Sequence, residues 1–515
     1  MKGQETNEIR WLDDNVKRLD ELRSRFMGFE VVTKLEKTNR DSEYNVQSRT
    51  SFPRQIHAVN NKIAGDLLNA SNRILENQLE ATEGNFAQSL FLTHIKETAL
   101  SLVFGSYNKA TAEDKWRMFQ FIEDLSEISS RTYESASVTL GILYFKEDAV
   151  DKAHKTFADK NMEFIPLDTA EPFMDLFNGE KAFLRLIDNR SMALVVNETF
   201  AVIGILRKKN DGRSICSELE DLIFTYNINA VLEQVYGDLI DKLGDLKQKV
   251  FREVKKQQPE STRKSVYQVI NAYKELLLKN IEVIQLANKT REYPDFLYIS
   301  VDNDRVNFYT QSRMVVSLVN GIWKMRHYDL FVASILQKLM ISKLPFYAAL
   351  GADAFKKHMT RAFKGYNRLF RTFIDLSREQ KSSVYLIIDT PDILHGIAES
   401  KTAKLLKGTG FLHSERKRRS LLAIKKGKKN ANLIDLDPYL IKSLSAIDGA
   451  VVLDSNLNIL SFGETISVSP GQSYNGTFGT GSTAAQFASK HGIAVKVSED
   501  GDITLFIDQK KILKL

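Results

Sequence analysis

Two short motifs near the C-terminus decide the fold of this part of the chain: Asp448-Gly449-Ala450 and Gly479-Thr480-Gly481-Ser482-Thr483. The first motif ends a helix-like stretch and opens the apolar strand Val451-Val452-Leu453-Asp454. The second motif places two glycines and three hydroxyl side chains just ahead of a short helix from Ala484 to Lys490. A loop of this composition leaves backbone N–H groups free at a helix N-terminus, where they can bind a phosphate without a cationic side chain.

The segments around the two motifs alternate between strand-like and helix-like patterns. After the first strand come a hairpin-like turn at Asn456-Leu457-Asn458, a strand over 459–463, a polar loop with Pro470, the second motif with its helix, and strands over 493–498 and 503–507. Upstream, the apolar run from Val384 to Asp389 is typical of a buried strand. This order predicts a mixed sheet with helices packed against it.

This frame resembles the diadenylate cyclase domain of the DisA family, in which a DGA motif and a GTRHR motif face each other across an ATP site. The resemblance covers roughly residues 370–515. The Arg-His-Arg positions of the family motif read Gly481, Ser482 and Thr483 in this chain. An intact frame without the cationic residues also resembles the inactive, cyclase-like sensor domains called DACNV, which are attached to other modules and bind nucleotides rather than make them.

The resemblance implies a nucleotide site with the following residues: Asp448, Gly449, Ala450, Gly479, Thr480, Gly481, Ser482 and Thr483. Asp448 would help to hold Mg²⁺ or Mn²⁺ with the bound nucleotide and would activate the ribose 3′-hydroxyl. The arginines that neutralise a polyphosphate in the transition state are missing, and losing such donors lowers turnover more than binding. We therefore assign no catalytic residue. Taken alone, the second motif also fits an ordinary strand-to-helix turn.

Two basic clusters, Arg416-Lys417-Arg418-Arg419 and Lys425-Lys426-Gly427-Lys428-Lys429, flank the predicted strand Ser420–Ile424. A solvated loop is the simplest interpretation of such charge runs. The alternatives are weak nucleic-acid contact and phosphate binding that replaces the lost arginines. The candidates for phosphate contact are Lys425, Lys426, Lys428 and Lys429.

Composition sets the outer bounds on class and compartment. The chain has 515 residues, of which 43% are hydrophobic and 27% charged, as in globular proteins with several domains. The 72 basic residues are nearly matched by 65 acidic ones, so nucleic acid is disfavoured as a partner. No apolar run is long enough to span a membrane, and the N-terminus is too polar for a signal peptide. We expect a cytoplasmic protein.

The predicted fold class is α/β, or α+β overall. We expect a mainly helical region over 1–130, a small α/β module over 131–215, a long helical connector over 216–290, a strand meander with helices over 291–376, and the cyclase-like nucleotide-binding domain over 377–515. The polar stretch 39–51 is a candidate linker. The helical regions are candidate surfaces for a protein partner or a homo-oligomer.

The other reactive side chains give little indication of a catalytic or metal-binding site. Asp389 and His395 form an acid/base pair only if a nucleophile or metal accompanies them, and the chain shows no metal-binding histidine spacing. The single cysteine, Cys216, is interpreted as a small buried apolar residue.

Three functional hypotheses follow from these patterns. The first is a catalytically degenerate sensor of a nucleotide or nucleotide second messenger, which the resemblance associates with bacterial signalling and phage defence. The second is an active diadenylate or nucleotidyl cyclase that has replaced the arginines with other cations. The third is a scaffold that binds no nucleotide.

Overall fold

The computed structural model describes residues 2–37, 44–50, 84–133, 136–146, 149–158, 160–179, 186–210, 213–220, 260–290, 295–310, 315–342, 352–388, 431–464 and 480–515, with a few residues in 68–73 and 223–248 and residue 466. The chain divides into two compact units. The first comprises Met1–Asn227 with Arg291–Tyr328, and the second comprises Ile228–Thr290 with Asp329–Leu515. Within these residues, no helix is both long and apolar enough to cross a membrane.

The helices of the first unit with described bounds lie in the predicted helical region 1–130 and in the predicted α/β module 131–215. They are α1 (Lys2–Met27), α2 (Gly84–Phe104), α3 (Ala112–Ser130), α4 (Ala149–Phe157) and α5 (Phe173–Gly179). Thr111 precedes α3, and its hydroxyl accepts the backbone N–H of Asp114 at 3.2 Å. This bond satisfies a donor that has no acceptor within the helix, which fixes where α3 begins.

The strands of the first unit form one large sheet and two small ones. They are β1 (Val31–Lys37), β2 (Tyr44–Thr50), β3 (Thr132–Tyr133), β4 (Ala136–Ser137), β5 (Thr139–Tyr144), β6 (Met162–Pro172), β7 (Met192–Val196), β8 (Ala201–Lys208), β9 (Leu297–Asp302), β10 (Arg305–Tyr309), β11 (Val315–Val319) and β12 (Ile322–Arg326). The large sheet has the order β12-β11-β10-β9-β5-β7-β8-β6. β5 pairs in parallel with β7 and antiparallel with β9.

The β9–β12 meander expected from the sequence is therefore not separate from the strands of 131–215, because both belong to this sheet. Almost every residue of β5 and of β9 is buried. A strand that is buried on both faces needs a hydrogen-bonding neighbour on each edge, and each of these two strands supplies an edge of the other.

The candidate linker over 39–51 contains a strand, so this prediction is wrong. β2 pairs antiparallel with β1, and a fully buried arginine, Arg23, lies against both strands. Its Nη1 donates to Thr33 Oγ1 at 2.9 Å and to Ser48 Oγ at 3.0 Å. Polar side chains that bind a buried guanidinium take the place of an apolar face here, which is why hydrophobic periodicity does not show the strand.

The second unit is a six-stranded mixed sheet with helices. Its helices are α6 (Glu260–Thr290), α7 (Tyr328–Ser342, which begins at the boundary of the units), α8 (Ala352–Arg378), α9 (Pro438–Ser445) and α10 (Thr480–Ala488). Its strands are β13 (Ser383–Ile388), β14 (Ala450–Asp454), β15 (Ile459–Glu464), β16 (Gly492–Val497), β17 (Ile503–Ile507) and β18 (Lys510–Lys514). The order is β15-β14-β13-β16-β17-β18, with only β13 and β14 parallel.

Helices pack on both faces of this sheet. On one face, Val384 and Leu386 of β13 share an apolar core with Ala485 and Ala488 of α10. On the other face, the ring of Phe373 in α8 meets Tyr385 edge-on, with centroids 4.9 Å apart. The overall class is therefore α/β with mixed sheets, which confirms the prediction from the sequence.

The turn between β14 and β15 is built around a buried carboxylate. Asp454 Oδ1 accepts the backbone N–H groups of Asn456 and Asn458, both at 2.8 Å. Leu457 adopts a left-handed φ of 63° between them. This arrangement confirms the tight turn that the sequence predicts at residues 456–458.

The free energy of unfolding should depend on pH through Asp302, a carboxyl group of strand β9 in the large sheet. Burial raises the pKa of Asp302 to about 6, although Arg305 and Arg190 partly offset the effect. Its favourable contribution is present below the unfolded pKa of about 4 and is lost as the pH rises through about 6. Between pH 4 and 7, the unfolding free energy of the wild type should fall by about 2 kcal/mol more than that of Asp302→Asn. Urea denaturation at the two pH values measures this difference. Equal pH profiles of unfolding free energy for Asp302→Asn and the wild type would contradict the assignment.

Candidate functional site

The first motif lies at the N-terminal end of β14, where its glycine is required by geometry. Gly449 has a φ of +109°, and a Cβ atom at this position would lie 2.5 Å from the carbonyl carbon of Gly463 and 2.8 Å from the backbone nitrogen of Glu464. An L side chain would meet both a strained backbone and the neighbouring strand β15. Asp448, directly before this close approach, is exposed.

The second motif lies inside the first turn of a helix rather than ahead of it. α10 begins at Thr480, four residues earlier than the sequence predicts, and contains Gly481, Ser482 and Thr483. The first N–H groups of an α-helix have no acceptor within the helix, so this turn presents donors and the positive end of the helix dipole. Gly479 lies outside the described residues.

The two motifs lie at the same end of the sheet. Ala450 of the first motif pairs with Val384 of β13, and Val384 pairs with Lys496 of β16. Adjacent strands are about 4.8 Å apart, so the Cα atoms of Ala450 and Lys496 are about 10 Å apart. Lys496 in turn lies under the second motif, because a Cβ atom on Gly481 would be 3.0 Å from its Cε and 3.2 Å from its Nζ.

Lys496 is the residue at this site that the sequence analysis missed. Its side chain is buried, with 9% of the residue exposed, and its Nζ donates to the hydroxyl of Ser382. Burial lowers the pKa of Lys496, and the exposed Glu499 acts in the opposite direction. The signal in the sequence is a single lysine inside the apolar run 493–497, at a position that shares a face with Ala494.

The electrostatics of this corner favour an anion. A buried ammonium group and a helix N-terminus are both positive, so they raise each other's energy unless a negative group lies near both. Within the described part of the chain, Lys496 makes no salt bridge with a carboxylate. An anion at the first turn of α10 would interact favourably with the ammonium and with the backbone donors.

Lys496, Val384 and Ala450 are paired across neighbouring strands, and a buried carboxylate is the next residue in this row. Glu464 of β15 pairs with Ala450 and is 1% exposed, and its Oε1 accepts the hydroxyl of Ser461. The row therefore runs from a buried cation to a buried carboxylate, with the first motif between them. No motif in the sequence singled out Glu464.

Several predicted site residues lie outside the described ranges. These are Lys425, Lys426, Lys428 and Lys429, the cluster 416–419, the strand 420–424, and the pair Asp389 and His395. Their roles stay predictions. In the residues that the structure does describe, no cluster of three or more His, Cys, Asp or Glu side chains is suited to a metal ion. The metal role of Asp448 stays a prediction.

Cys216 lies in the first unit among buried polar groups. It is half-buried and hydrogen-bonded to Tyr298, a tyrosine whose pKa is raised by burial. Tyr298 also donates to Asn189 Oδ1 at 3.0 Å. The thiol thus belongs to a polar network and is half-buried, which differs from the small buried apolar residue that the sequence predicts.

No protein-family model matches the sequence, and no curated protein is significantly similar to it. The candidate site therefore rests on its own geometry, together with the resemblance in the motifs.

The close approach of Gly449 to the backbone of β15 predicts the effect of a substitution on stability. We expect Gly449→Ala to lower the free energy of unfolding by about 3 kcal/mol, because the new methyl group meets backbone atoms as well as a left-handed φ. Gly105→Ala is the matched control, since its φ is +55° and nothing lies within 4 Å of the added Cβ. The control should cost about 1 kcal/mol. Urea denaturation compares the two variants, and equal losses would show that the contact with β15 is unimportant.

Proposed function

We propose that the C-terminal sheet domain binds a nucleotide or a cyclic nucleotide second messenger and acts as a sensor rather than as a cyclase. A phosphate of the ligand lies between the first turn of α10 and the ammonium group of Lys496. Asp448 lies at the same end of the sheet and is available to the ribose or to a Mg²⁺ or Mn²⁺ ion carried by the ligand.

The contact between Gly481 and Lys496 is the observation that carries the proposal. It puts a buried cation directly under the turn that replaces the Arg-His-Arg of the family motif. Glycine leaves room there, because a Cβ atom would force the end of the Lys496 side chain to shift by a few tenths of an ångström. The positive charge that is missing from the loop is thus supplied from the sheet below it.

A sensor is favoured over a cyclase because of the number and placement of the cations. Transfer of a nucleotidyl group requires several fixed donors aimed at the charge that develops on a polyphosphate. Among the residues that the structure describes, one buried ammonium and the N–H groups of a helix face the proposed ligand. This set is sufficient for binding, and the hydroxyls of Thr480 and Ser482 add neutral donors. A role in bacterial signalling or phage defence, through a protein partner or a homo-oligomer, is what the motif resemblance implies for such a sensor.

Ligand binding by a charge-neutral variant tests the proposal. Calorimetry and thermal shift should identify a ligand among ATP, GTP, NAD and cyclic di- and oligonucleotides, with Mg²⁺ or Mn²⁺ present. We expect Lys496→Met to weaken that ligand by a factor of about 10 to 100, the usual effect of losing one charged hydrogen bond. The unliganded variant should be at least as stable as the wild type, since a buried charge is replaced by a side chain of similar length.

The matched control is Lys490→Met, which removes an exposed lysine beyond the other end of α10. This variant should bind the ligand as tightly as the wild type. Chromatography of the reaction mixtures separates the alternatives. A cyclic dinucleotide product would identify an active cyclase, and the absence of binding across the panel would favour a scaffold.

A further inference from the structure

Two adjoining cavities run along α3 in the first unit, and together they form a groove. Each has a volume of about 410 Å³. They share lining residues from α3, from β11 and from the β11–β12 turn, namely Glu123, Ser126, Leu318 and Gly321. Because the same four residues line both cavities, the two cavities lie side by side within reach of one extended ligand.

The first cavity is mainly apolar, although the cationic side chains of Arg25 and Lys96 also line it. Its walls come from α1, α2, α3 and the β11–β12 turn, with Phe26, Ile122 and Trp323 forming a buried floor. Leu92 lies at the rim and is 45% exposed. Exposed leucines that border an apolar cavity typically mark a surface that another molecule covers.

The second cavity is acidic. Glu123, Asp124 and Glu127 line it from α3, and Asp304 lines it from the β9–β10 turn. None of the described residues that line it is basic. Burial raises the pKa of Asp124, and the neighbouring charges of Glu127 and Glu123 raise it further.

Two cations outside the acidic cavity offset part of this charge. Lys96 Nζ lies 3.4 Å from Glu123 Oε1, and Arg131 Nη2 lies 2.6 Å from Glu127 Oε1. Both pairs are partly exposed, so solvent screens them, and among the described residues neither Asp124 nor Asp304 makes a salt bridge. The backbone N–H of Asp304 donates to the carbonyl of Ser129 at 3.2 Å, which ties the acidic turn to the end of α3.

We propose that this groove binds a peptide segment of a partner protein in which bulky apolar side chains are followed by arginine or lysine. The apolar side chains fill the cavity beside Leu92, and the cationic side chains lie among the four carboxylates. Charge complementarity selects this occupant, because the same carboxylates repel nucleic acid and anionic lipid headgroups.

The geometry of α3 sets the spacing within the peptide. Glu123 adjoins the apolar cavity, and Glu127 lies one helical turn further on, about 6 Å away. An extended peptide rises about 3.3 Å per residue. The first cationic residue therefore follows the last apolar anchor by about two positions.

Fluorescence anisotropy with a defined peptide tests this inference on the full chain. The probe is a fluorescein-labelled peptide with two leucines, one glycine and two arginines in that order. One comparison peptide has glutamates in place of the arginines, and another has alanines in place of the leucines. We expect saturable binding of the probe that weakens with added salt, and at least tenfold weaker binding of both comparison peptides, roughly the effect of losing a buried anchor or a charge pair.

Two sets of variants locate the binding on the protein. Leu92→Glu changes an exposed side chain at the apolar rim, and Glu123→Gln with Glu127→Gln neutralises the acidic wall. Each should weaken the probe about tenfold with an unchanged melting temperature. Glu113→Gln is the matched control, because Glu113 also pairs with an arginine at i+4 on the exposed surface of α3 but does not line either cavity.

Each contrary result overturns the inference. These results are no saturable binding of the probe, equal binding of either comparison peptide, and a loss in Glu113→Gln as large as that in the double variant. Equal binding of the alanine peptide would show a purely electrostatic contact without an apolar anchor.

Discussion

β13 must be covered on both faces and along both edges, and this constraint fixes the layout of the second unit. All six of its residues are buried. α10 covers one face and α8 the other, while β14 and β16 supply the hydrogen bonds along the edges. β14 carries the first motif at its N-terminal end, and β16 carries Lys496. The arrangement that buries a strand thus also brings the candidate chemistry to one end of the sheet.

The sequence predicted most elements whose formation depends on local patterns. The apolar runs of β13 and β14 and the Asp454 turn are examples, because each is specified by a few consecutive residues. β2 and the edge strand β18 were not predicted, since polar or lysine-rich strands lack an apolar face. The pairing of β5 with β9 was also missed, because strand partners so far apart in sequence leave no local signal.

The sequence predicted the part of the candidate site in which backbone geometry requires a particular residue. It did not predict the part that depends on the direction in which a side chain points. Gly449 belongs to a short motif, and the close approach of β15 gives a physical reason for that glycine. Lys496 differs, because a lysine in a strand faces solvent or core according to the pairing register, and a shift of one residue reverses its direction. Its burial under Gly481 is visible only once β16 is paired with β13.

The interleaved path of the chain has a consequence for biosynthesis. The first unit takes its β9–β12 strands from residues that follow the segment 228–290, which belongs to the second unit. During translation, the large sheet therefore cannot be completed until β12 has left the ribosome. Until β9 has left the ribosome, the edge of β5 that pairs with it is exposed, and an unpaired strand edge of this kind favours aggregation. The same path means that no single cut in the chain separates the two units as intact pieces.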